Sequence, residues 1–222
     1  MRTQNDSRSA GFTLIELMIV LSVMAVLLFV VAPSFRELMD VRRVRGVSDQ
    51  FVTDVQFARS EAAGRQEIVG ISFKPPGAAT SCYIVHTCGS TPANSCKCNC
   101  AAAPGSRCPD PAIVPDPPRE IRTVQLADSR VSLLPVLANG NPLPALGAGT
   151  TSIAFDPTTG AMTAFYAFGL VMGFPPASGA FWARVNSTTS GSSTIVRDVV
   201  NTSGRPTVCK PAGSTITGIT SC

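Results

Sequence analysis

A long apolar segment near the N-terminus constrains this chain more than any other feature. Residues 17–33 read LMIVLSVMAVLLFVVAP, with Ser22 as the only polar side chain, and residues 12–15 extend the segment on its N-terminal side. The combined length approaches the roughly 20 residues that span a hydrocarbon core. The acidic residue Glu16 interrupts the segment close to its start. We therefore predict a transmembrane helix over residues 12–35, which needs lipid or other helices around it.

The residues before this segment do not read as an ordinary secretory signal. Such a signal has an apolar stretch of about 7–15 residues and a small-residue cleavage site after that stretch. Here the apolar stretch is longer, and the polar leader, residues 1–11, ends at Gly11 before the stretch begins. Hydropathy alone also allows a plain membrane anchor.

The junction between leader and apolar segment carries a more specific signal. Residues 11–17 read GFTLIEL, which closely resembles the processing site of type IV prepilins and type II secretion pseudopilins. In that family an inner-membrane peptidase cuts after the glycine and methylates the new terminal residue. The resemblance therefore implies cleavage between Gly11 and Phe12 and N-methylation of Phe12. It also covers Pro33, which sits where many members of the family kink.

The physical chemistry of Glu16 supports a role in assembly. A carboxylate within an apolar helix is costly unless it is paired, and such a residue is a functional candidate. Cleavage after Gly11 would create a partner, the α-amino group of Phe12 on the same or an adjacent subunit. We therefore predict that Glu16 sets the axial register of a filament. The alternative is a Glu16 that lies at the membrane interface, solvated by lipid headgroups.

Beyond Pro33 the pattern predicts a one-sided helix over residues 36–64. Apolar residues recur there at spacings of three or four, the helical period: Val41, Val44, Val47, Phe51, Val55, Ala58 and Ala62. The charged residues are expected mainly on the opposite side: Arg42, Arg45, Asp49, Asp54, Arg59 and Glu61. Gly64 is expected to cap the C-terminal end of this helix.

The remainder, residues 65–222, predicts a β-rich head. Short β-like runs separated by Pro, Gly and Ser lie at 68–73, 82–87, 121–125, 152–155, 162–167, 181–186 and 194–200. A Cys-rich insertion occupies residues 89–118, and a Pro/Gly loop is expected over 134–149. The predicted fold class is α+β, a long N-terminal α-helix, transmembrane in its first half, packed on a β-rich pilin head with disulfide-stabilised loops.

Short motifs narrow the resemblance to the GspH/FimT group of minor pilins and pseudopilins. They are PSFR at residues 33–36, FARSEA at 57–62, FDPTTG at 155–160, and Gly204-Arg205 shortly before Val208-Cys209. The Cys-rich insertion departs from the usual pattern of this group, so no ligand or partner is carried over to it.

The cysteines indicate the compartment. The chain has eight, all beyond the apolar segment, and an even count in that position suits an oxidising environment and a disulfide framework. Cys209 and Cys222 stand apart and are expected to close a C-terminal loop. The other six can pair in several ways: Cys82, Cys88, Cys96, Cys98, Cys100 and Cys108. A zinc site in the CKCNC run at 96–100 is disfavoured, because that spacing strains tetrahedral geometry. We predict no metal and no cofactor.

The sequence shows no catalytic constellation. His86 is the single histidine, and no serine or threonine is expected to have a histidine partner, so we predict that the chain is not an enzyme. Basic residues occur in the C-terminal part: Arg184, Arg197, Arg205 and Lys210. Some FimT-like minor pilins take up DNA through basic residues near the C-terminus, so the resemblance makes these four candidate DNA-binding residues. Ordinary solvated charges are the alternative.

Three functions remain open from the sequence. The first is a minor pilin that primes or caps a type IV pilus for motility, adhesion or DNA uptake. The second is an H-type pseudopilin of a type II protein secretion system, and the third a membrane-tethered DNA-binding module for transformation. The resemblance implies these partners: other major and minor pilins or pseudopilins, the prepilin peptidase/methyltransferase, the inner-membrane assembly platform, membrane lipid and, in the third case, DNA. It also implies a single-pass protein of the bacterial inner membrane with a periplasmic head, which becomes extracellular in an assembled pilus.

Overall fold

The computed structural model describes much of the chain outside the leader. The described residues are 11–74, 81–88, 96, 98–108, 117–126, 130–143, 151–167, 170–171, 179–189 and 193–222, with the side chains of 30–34, 164–167 and 170–171 excepted. The leader prediction for residues 1–10, parts of the predicted Cys-rich insertion and parts of the predicted 134–149 loop therefore lie outside the described residues.

One helix, α1, runs over Leu14–Arg65 and belongs to two compact units that divide between Met39 and Asp40. In the first unit, each side chain from Phe12 to Phe29 is exposed. Among the described residues, no helical stretch combines the length and the apolar character that crossing a membrane requires. The predicted membrane segment, residues 12–35, includes residues 30–34, whose side chains are not described.

In the second unit, the remainder of α1 buries the apolar face that the helical period predicts. Five of the seven predicted residues are 0% exposed, namely Val44, Phe51, Val55, Ala58 and Ala62, and Val41 and Val47 pack partly buried against the same core. The expected side for Asp54 is wrong, because Asp54 is 0% exposed. The expected cap at Gly64 is also wrong. The helix continues to Arg65, and Gln66 takes the left-handed conformation after it, with φ of 58°.

Ten strands follow in the described residues: β1 Val69–Phe73, β2 Cys82–Thr87, β3 Glu120–Gln125, β4 Val131–Val136, β5 Thr151–Phe155, β6 Met162–Ala167, β7 Leu170–Val171, β8 Ala180–Ser187, β9 Ile195–Asn201 and β10 Pro206–Cys209. They form two antiparallel sheets. Sheet A has the order β3-β2-β1-β5-β6-β7, and sheet B has the order β10-β9-β8-β4. The α+β prediction is confirmed. The expected loop over 134–149 is wrong at its start, because β4 extends to Val136.

A single apolar core joins α1 to both sheets. The ring of Phe51 on α1 lies 5.7 Å from that of Phe73 on β1 and 5.6 Å from that of Tyr83 on β2. Phe73 in turn stacks on Phe181 of β8, at 5.2 Å between ring centroids. Aromatic pairs at such distances add stability beyond their buried area. The stack from Phe51 to Phe181 therefore connects the helix, sheet A and sheet B.

The three central strands of sheet A are buried on both faces. In β1, β2 and β5 every residue is buried, whereas an antiparallel sheet with one wet face would alternate. One face contacts the main core. On the other, Cys88 and Cys96 pack with Ala154, and Cys98 and Cys100 pack with Ile84. We call residues 96–108, as far as they are described, the cysteine cover.

Disulfides tie the cysteine cover to the ends of β2. All eight cysteines lie among the described residues, and none is free. Cys82 at the start of β2 bonds to Cys100, and Cys88, directly after β2, bonds to Cys96. Cys98 bonds to Cys108 within the cover. The fourth disulfide, Cys209–Cys222, closes the C-terminal loop.

Candidate functional site

The N-terminal end of α1 is built around a side-chain cap. The hydroxyl oxygen of Thr13 accepts the backbone N–H of Glu16 at 3.3 Å, and the carbonyl oxygen of Thr13 accepts that of Leu17 at 3.2 Å. Threonine followed three residues later by glutamate is the capping-box pattern, in which the side chain satisfies an otherwise unpaired helical N–H group. Thr13 is not among the residues predicted from the sequence, although the T-x-x-E spacing is visible in residues 13–16.

This cap places the predicted assembly residues together. Gly11 is exposed, Phe12 is 80% exposed, and Glu16 lies in the first turn of the helix with an exposed side chain. A carboxylate in a first turn is stabilised by the positive end of the helix dipole. Within the described residues no cation forms an ion pair with Glu16. The carboxylate is therefore available to a group outside this arrangement.

A junction between α1 and the head is made by Arg59. Its Nε–H donates to the carbonyl oxygen of Gly160, in the turn between β5 and β6, at 2.9 Å. A Cβ built on Gly204, in the turn between β9 and β10, would lie 3.0 Å from the same Nε atom. Arg59, Gly160 and Gly204 come from three of the short motifs that carried the family resemblance. Those motifs meet at one point of the structure.

Two buried acids lie between α1 and the sheets. Asp54 accepts the hydroxyl of Tyr83 at 2.6 Å and pairs with the guanidinium of Arg122 at 2.7 Å. Burial, and then the hydrogen bond with Asp54, raises the pKa of Tyr83 above its usual range. Asp198 on β9 accepts the hydroxyl of Ser48 at 2.5 Å and is 0% exposed. Burial raises the pKa of Asp198 to about 7, although the Ser48 hydrogen bond acts in the opposite direction.

His86 has a serine partner, so the prediction that no serine would pair with it is wrong. The ring Nδ1 of His86 lies 2.8 Å from the carbonyl oxygen of Thr87 and therefore carries the proton, which leaves Nε2 to accept the hydroxyl of Ser72 at 2.7 Å. Ser152 donates to the oxygen of Ser72 at 2.6 Å, and the backbone N–H of Cys98 does so at 3.3 Å.

The surroundings give this network a structural role. Ser72, His86 and Ser152 are each 0% exposed, and burial lowers the pKa of His86 to about 4. A low pKa keeps the imidazole neutral at neutral pH, and a buried serine is not presented to solvent. The network instead connects three strands of sheet A to the backbone of the cysteine cover at Cys98. Buried polar groups that are mutually satisfied in this way specify one packing arrangement.

The four basic residues proposed from the sequence are brought together only in part. Arg184 on β8 and Arg197 on β9 are direct cross-strand partners. Both donate to the turn after β4, Arg184 to the carbonyl oxygen of Gly140 at 3.4 Å and Arg197 to that of Ala138 at 3.3 Å.

The other two candidate basic residues flank β10: Arg205 precedes the strand and Lys210 follows it. Arg205 is exposed in the turn between β9 and β10, where its backbone N–H donates to the side chain of Asn201 at 2.9 Å. Lys210 follows β10, and its Nζ donates to the carbonyl oxygen of Ile216 at 3.2 Å. Of the four side chains, that of Arg205 is the most available to a ligand. In the part of the chain that the structure describes, no group of three or more His, Cys, Asp or Glu side chains could hold a metal ion.

Two family models match the chain. The prokaryotic N-terminal methylation motif matches residues 6–32, and the model for type II transport protein GspH matches residues 47–204. The second match covers more than half of the chain and runs from the buried part of α1 to the turn between β9 and β10. No curated protein and no solved structure matches the chain.

Proposed function

The chain belongs to the family of type II transport protein GspH and carries the prokaryotic N-terminal methylation motif, and on this premise we propose that it is a minor pilin that primes or caps a type IV pilus. The coarser conclusion, that it is a pilin or pseudopilin subunit, follows from the family. The subunit is structural, and its function lies in the surfaces that it offers to other subunits.

The observation that carries the proposal is the exposed apolar surface of α1 within the stretch that the methylation motif matches. Phe12, Leu14 and Phe29 are each about 80% exposed, at 80%, 79% and 85%. Isolated exposed apolar residues are ordinary, but a continuous apolar surface marks contact with a partner or with lipid. A helix that is apolar all round needs lipid or other helices, and both a membrane and a filament core supply them.

The motif and this surface support a division of labour along the chain. We propose that residues 1–11 are a cleaved leader and that residues 12–35 anchor the subunit in the inner membrane before assembly and lie in the filament core afterwards. Residues 36–64 continue the helix into the head, and residues 65–222 form the periplasmic or extracellular head. The partners are other pilins, the prepilin peptidase/methyltransferase, the assembly platform and membrane lipid.

The disulfides favour a pilus over a secretion piston. The cysteine cover is bonded to both ends of β2, and covalent bonds of this kind stabilise a small domain against unfolding. A head displayed outside the cell benefits more from such bonds than one retained in the periplasm. The alternative is an H-type pseudopilin of a type II secretion system, which would share the N-terminal chemistry.

The mature N-terminus tests the proposal. Mass spectrometry of the chain from cells with an active prepilin peptidase should find Phe12 as the first residue, methylated on its amine. Cells that lack the peptidase are the control and should retain the leader. Shearing of the cell surface should release the mature chain together with pili. An intact Met1 terminus in the peptidase-active cells would refute the proposal.

Exposed Arg205 keeps a second candidate, a DNA-binding module, open. Its attraction would be to phosphates, without sequence preference, and would weaken steeply with salt because bound phosphates release counterions. Arg205→Ala should lower the affinity of the full-length chain for duplex DNA and reduce the salt slope by about one unit. Lys210→Ala should act in the same direction, but it also removes the contact with Ile216. Arg65→Ala, at the end of α1, is the matched control. Binding that is indifferent to Arg205 would exclude this candidate.

A further inference from the structure

The outer face of sheet B holds two like charges side by side, and no described residue there supplies a counter-charge. Arg184 on β8 lies directly opposite Arg197 on β9, and like charges in that position are destabilising. The neighbouring acid on β9, Asp198, is buried towards α1, where it accepts Ser48. In the described part of the chain, neither arginine forms an ion pair. The two guanidinium groups therefore leave a local excess of positive charge that no described residue neutralises.

The contacts that these arginines do make are long and involve neutral groups. Arg184 reaches the carbonyl oxygen of Gly140 at 3.4 Å, and Arg197 reaches those of Ala138 and Asn139 at 3.3 and 3.5 Å. A charge-assisted hydrogen bond is usually shorter, about 2.7–2.9 Å. The turn therefore positions the tips of the two side chains without satisfying them.

Three buried N–H groups on this face have no hydrogen-bond partner among the described residues. They are the Nε of Arg184, the Nε of Arg197 and the indole Nε1 of Trp182. Trp182 lies two residues before Arg184 on β8, so their side chains share one face of the strand. A buried N–H group without an acceptor costs about 1–3 kcal/mol, and three of them on neighbouring positions need a common explanation. A bound acceptor would supply it.

We propose that Trp182, Arg184 and Arg197 form a site for a carboxylate group. Two guanidinium groups and one indole N–H supply donors only, so the ligand must be an acceptor, and the uncompensated charge requires an anion. The Nε atoms are buried, and the Nη atoms contact the turn at 138–140. A single carboxylate at the end of a chain is small enough to reach these buried atoms where the turn at 138–140 gives way, whereas the phosphates of a duplex lie along a surface and would meet guanidinium tips. This site is independent of the proposed filament function.

Gly140 lies against Arg197 at one side of the proposed site. Its backbone has a φ of 86°, which favours glycine, and a Cβ at this position would collide with the guanidinium of Arg197. The close approach of Arg197 to the turn therefore depends on the absence of a side chain at Gly140. This approach holds the guanidinium tip of Arg197 on the turn, while its Nε remains without a protein acceptor.

The single tryptophan of the chain allows a direct test. The full-length, oxidised protein is labelled with ¹⁵N in detergent micelles and titrated with sodium acetate, with sodium chloride at equal ionic strength as reference. We expect the one indole resonance to shift and saturate with a Kd on the order of 1–10 mM, since charge-assisted hydrogen bonds contribute about 1.5–3 kcal/mol each. Arg184→Gln and Arg197→Gln should each weaken binding about tenfold or more. Arg205→Gln, an exposed arginine outside the site, should leave it unchanged.

The source of the carboxylate is distinguished by a second titration. A blocked glutamate, acetylated and amidated, that binds as well as acetate indicates the acidic side chain of another polypeptide. Acetate binding without blocked-glutamate binding indicates a free small acid. An indole resonance that acetate leaves unmoved up to about 100 mM, ten times the weakest expected Kd, overturns the proposal. A resonance that moves equally with chloride, or responds only to duplex DNA, also overturns it. These comparisons use the native chain, so they decide the proposal even if a variant fails to fold.

Discussion

The carbonyl oxygen of Gly160 occupies the position that a side chain on Gly204 would need. Gly160 lies in the turn between β5 and β6 of sheet A, and Gly204 in the turn between β9 and β10 of sheet B, where its φ is 74°. The Nε–H of Arg59 bonds to the Gly160 carbonyl between them. The two sheets and the helix therefore meet at Gly204. A glycine is required there both by the positive φ and by the close carbonyl oxygen of Gly160.

Gly204→Ala should lower the free energy of unfolding by more than about 2 kcal/mol. The left-handed conformation alone costs an alanine about 1–2 kcal/mol, and the clash here is with backbone, which cannot rotate away. Gly213→Ala is the matched control, because Gly213 also has a positive φ, 83°, but nothing within 4 Å of a built Cβ. Denaturant titration of the oxidised chain measures both. Equal losses for the two variants would contradict the proposed contact.

Two substitutions of Glu16 should distinguish the effect of its charge from the effect of its place in the helix cap. Glu16→Ala and Glu16→Gln should both leave membrane insertion unchanged and reduce recovery of the chain in sheared filaments by about tenfold or more, which corresponds to about 1.4 kcal/mol of lost pairing. Glutamine can still serve in a capping box, so a normal yield of filaments from Glu16→Gln with a low yield from Glu16→Ala would assign the effect to the cap and not to the charge.

The stability of the chain should fall with rising pH through the titration of Asp198. Its pKa is about 7 in the folded chain against an ordinary value of 3.8, so the folded state binds the extra proton between these values. This contribution is fully present below about pH 4 and is lost as pH rises through 7. Asp198→Asn should remove a decline on the order of 4 kcal/mol at most. Asp156→Asn, at an exposed acid with a pKa of about 2, should leave the slope between pH 5 and 8 unchanged.

His86 should act with the opposite sign. Its folded pKa of about 4 lies below the ordinary 6.5, so the unfolded chain binds more protons between these values and stability is lost as pH falls from 6.5 to 4. His86→Gln should flatten this loss, which is on the order of 3 kcal/mol at most, whatever the variant costs at neutral pH. Thermal unfolding at several pH values measures the slope. A variant with the native slope would show that His86 does not titrate in this range.

Removal of the C-terminal disulfide should cost about 3 kcal/mol and leave the cysteine cover in place. Cys209 and Cys222 are 13 residues apart, and closure of a loop of that size constrains the unfolded chain by about this amount. The double variant Cys209→Ser with Cys222→Ser should show no free thiol by labelling of the unfolded, unreduced chain. Labelling of the native sequence is the control and should also find none. Free thiols in the double variant would indicate that the remaining pairs depend on this bond.

The sequence predicts the structure best where the spacing of apolar residues along one segment determines which face is buried. The buried face of α1 followed from apolar spacing alone, because its partners are all on one side. Asp54 was misplaced because its two partners, Tyr83 and Arg122, are distant in sequence, and no local pattern announces them. The end of β4 falls in the segment predicted as a Pro/Gly loop, and Pro135 lies within it. Proline is tolerated there because β4 is an edge strand of sheet B, where a missing donor breaks no ladder.

The candidate sites also divide into those formed by contiguous residues and those formed by residues distant in sequence. The junction at Gly11 and Phe12 and the acid at Glu16 are contiguous motifs, so a single sequence is enough to propose them. The pairing of the six clustered cysteines and the bond between Ser72 and His86 depend on which strands are neighbours. Ser72 and His86 meet because β1 and β2 pair in one register. That register depends on how the two strands pair in the folded chain, and the sequence of neither strand predicts it alone.

The bonds at the two ends of β2 have a mechanical consequence for a subunit that bears load. A pull applied between the helix and the C-terminal end passes through the Cys82–Cys100 bond and bypasses the 18-residue interval that it closes. At about 3.5 Å per residue, roughly 60 Å of chain is thereby withheld from extension. The strand that carries Tyr83 and His86 lies inside this closed interval, so the pull along the chain does not pass through its backbone. A head of this kind can be stretched elsewhere along the chain while β2 keeps its length.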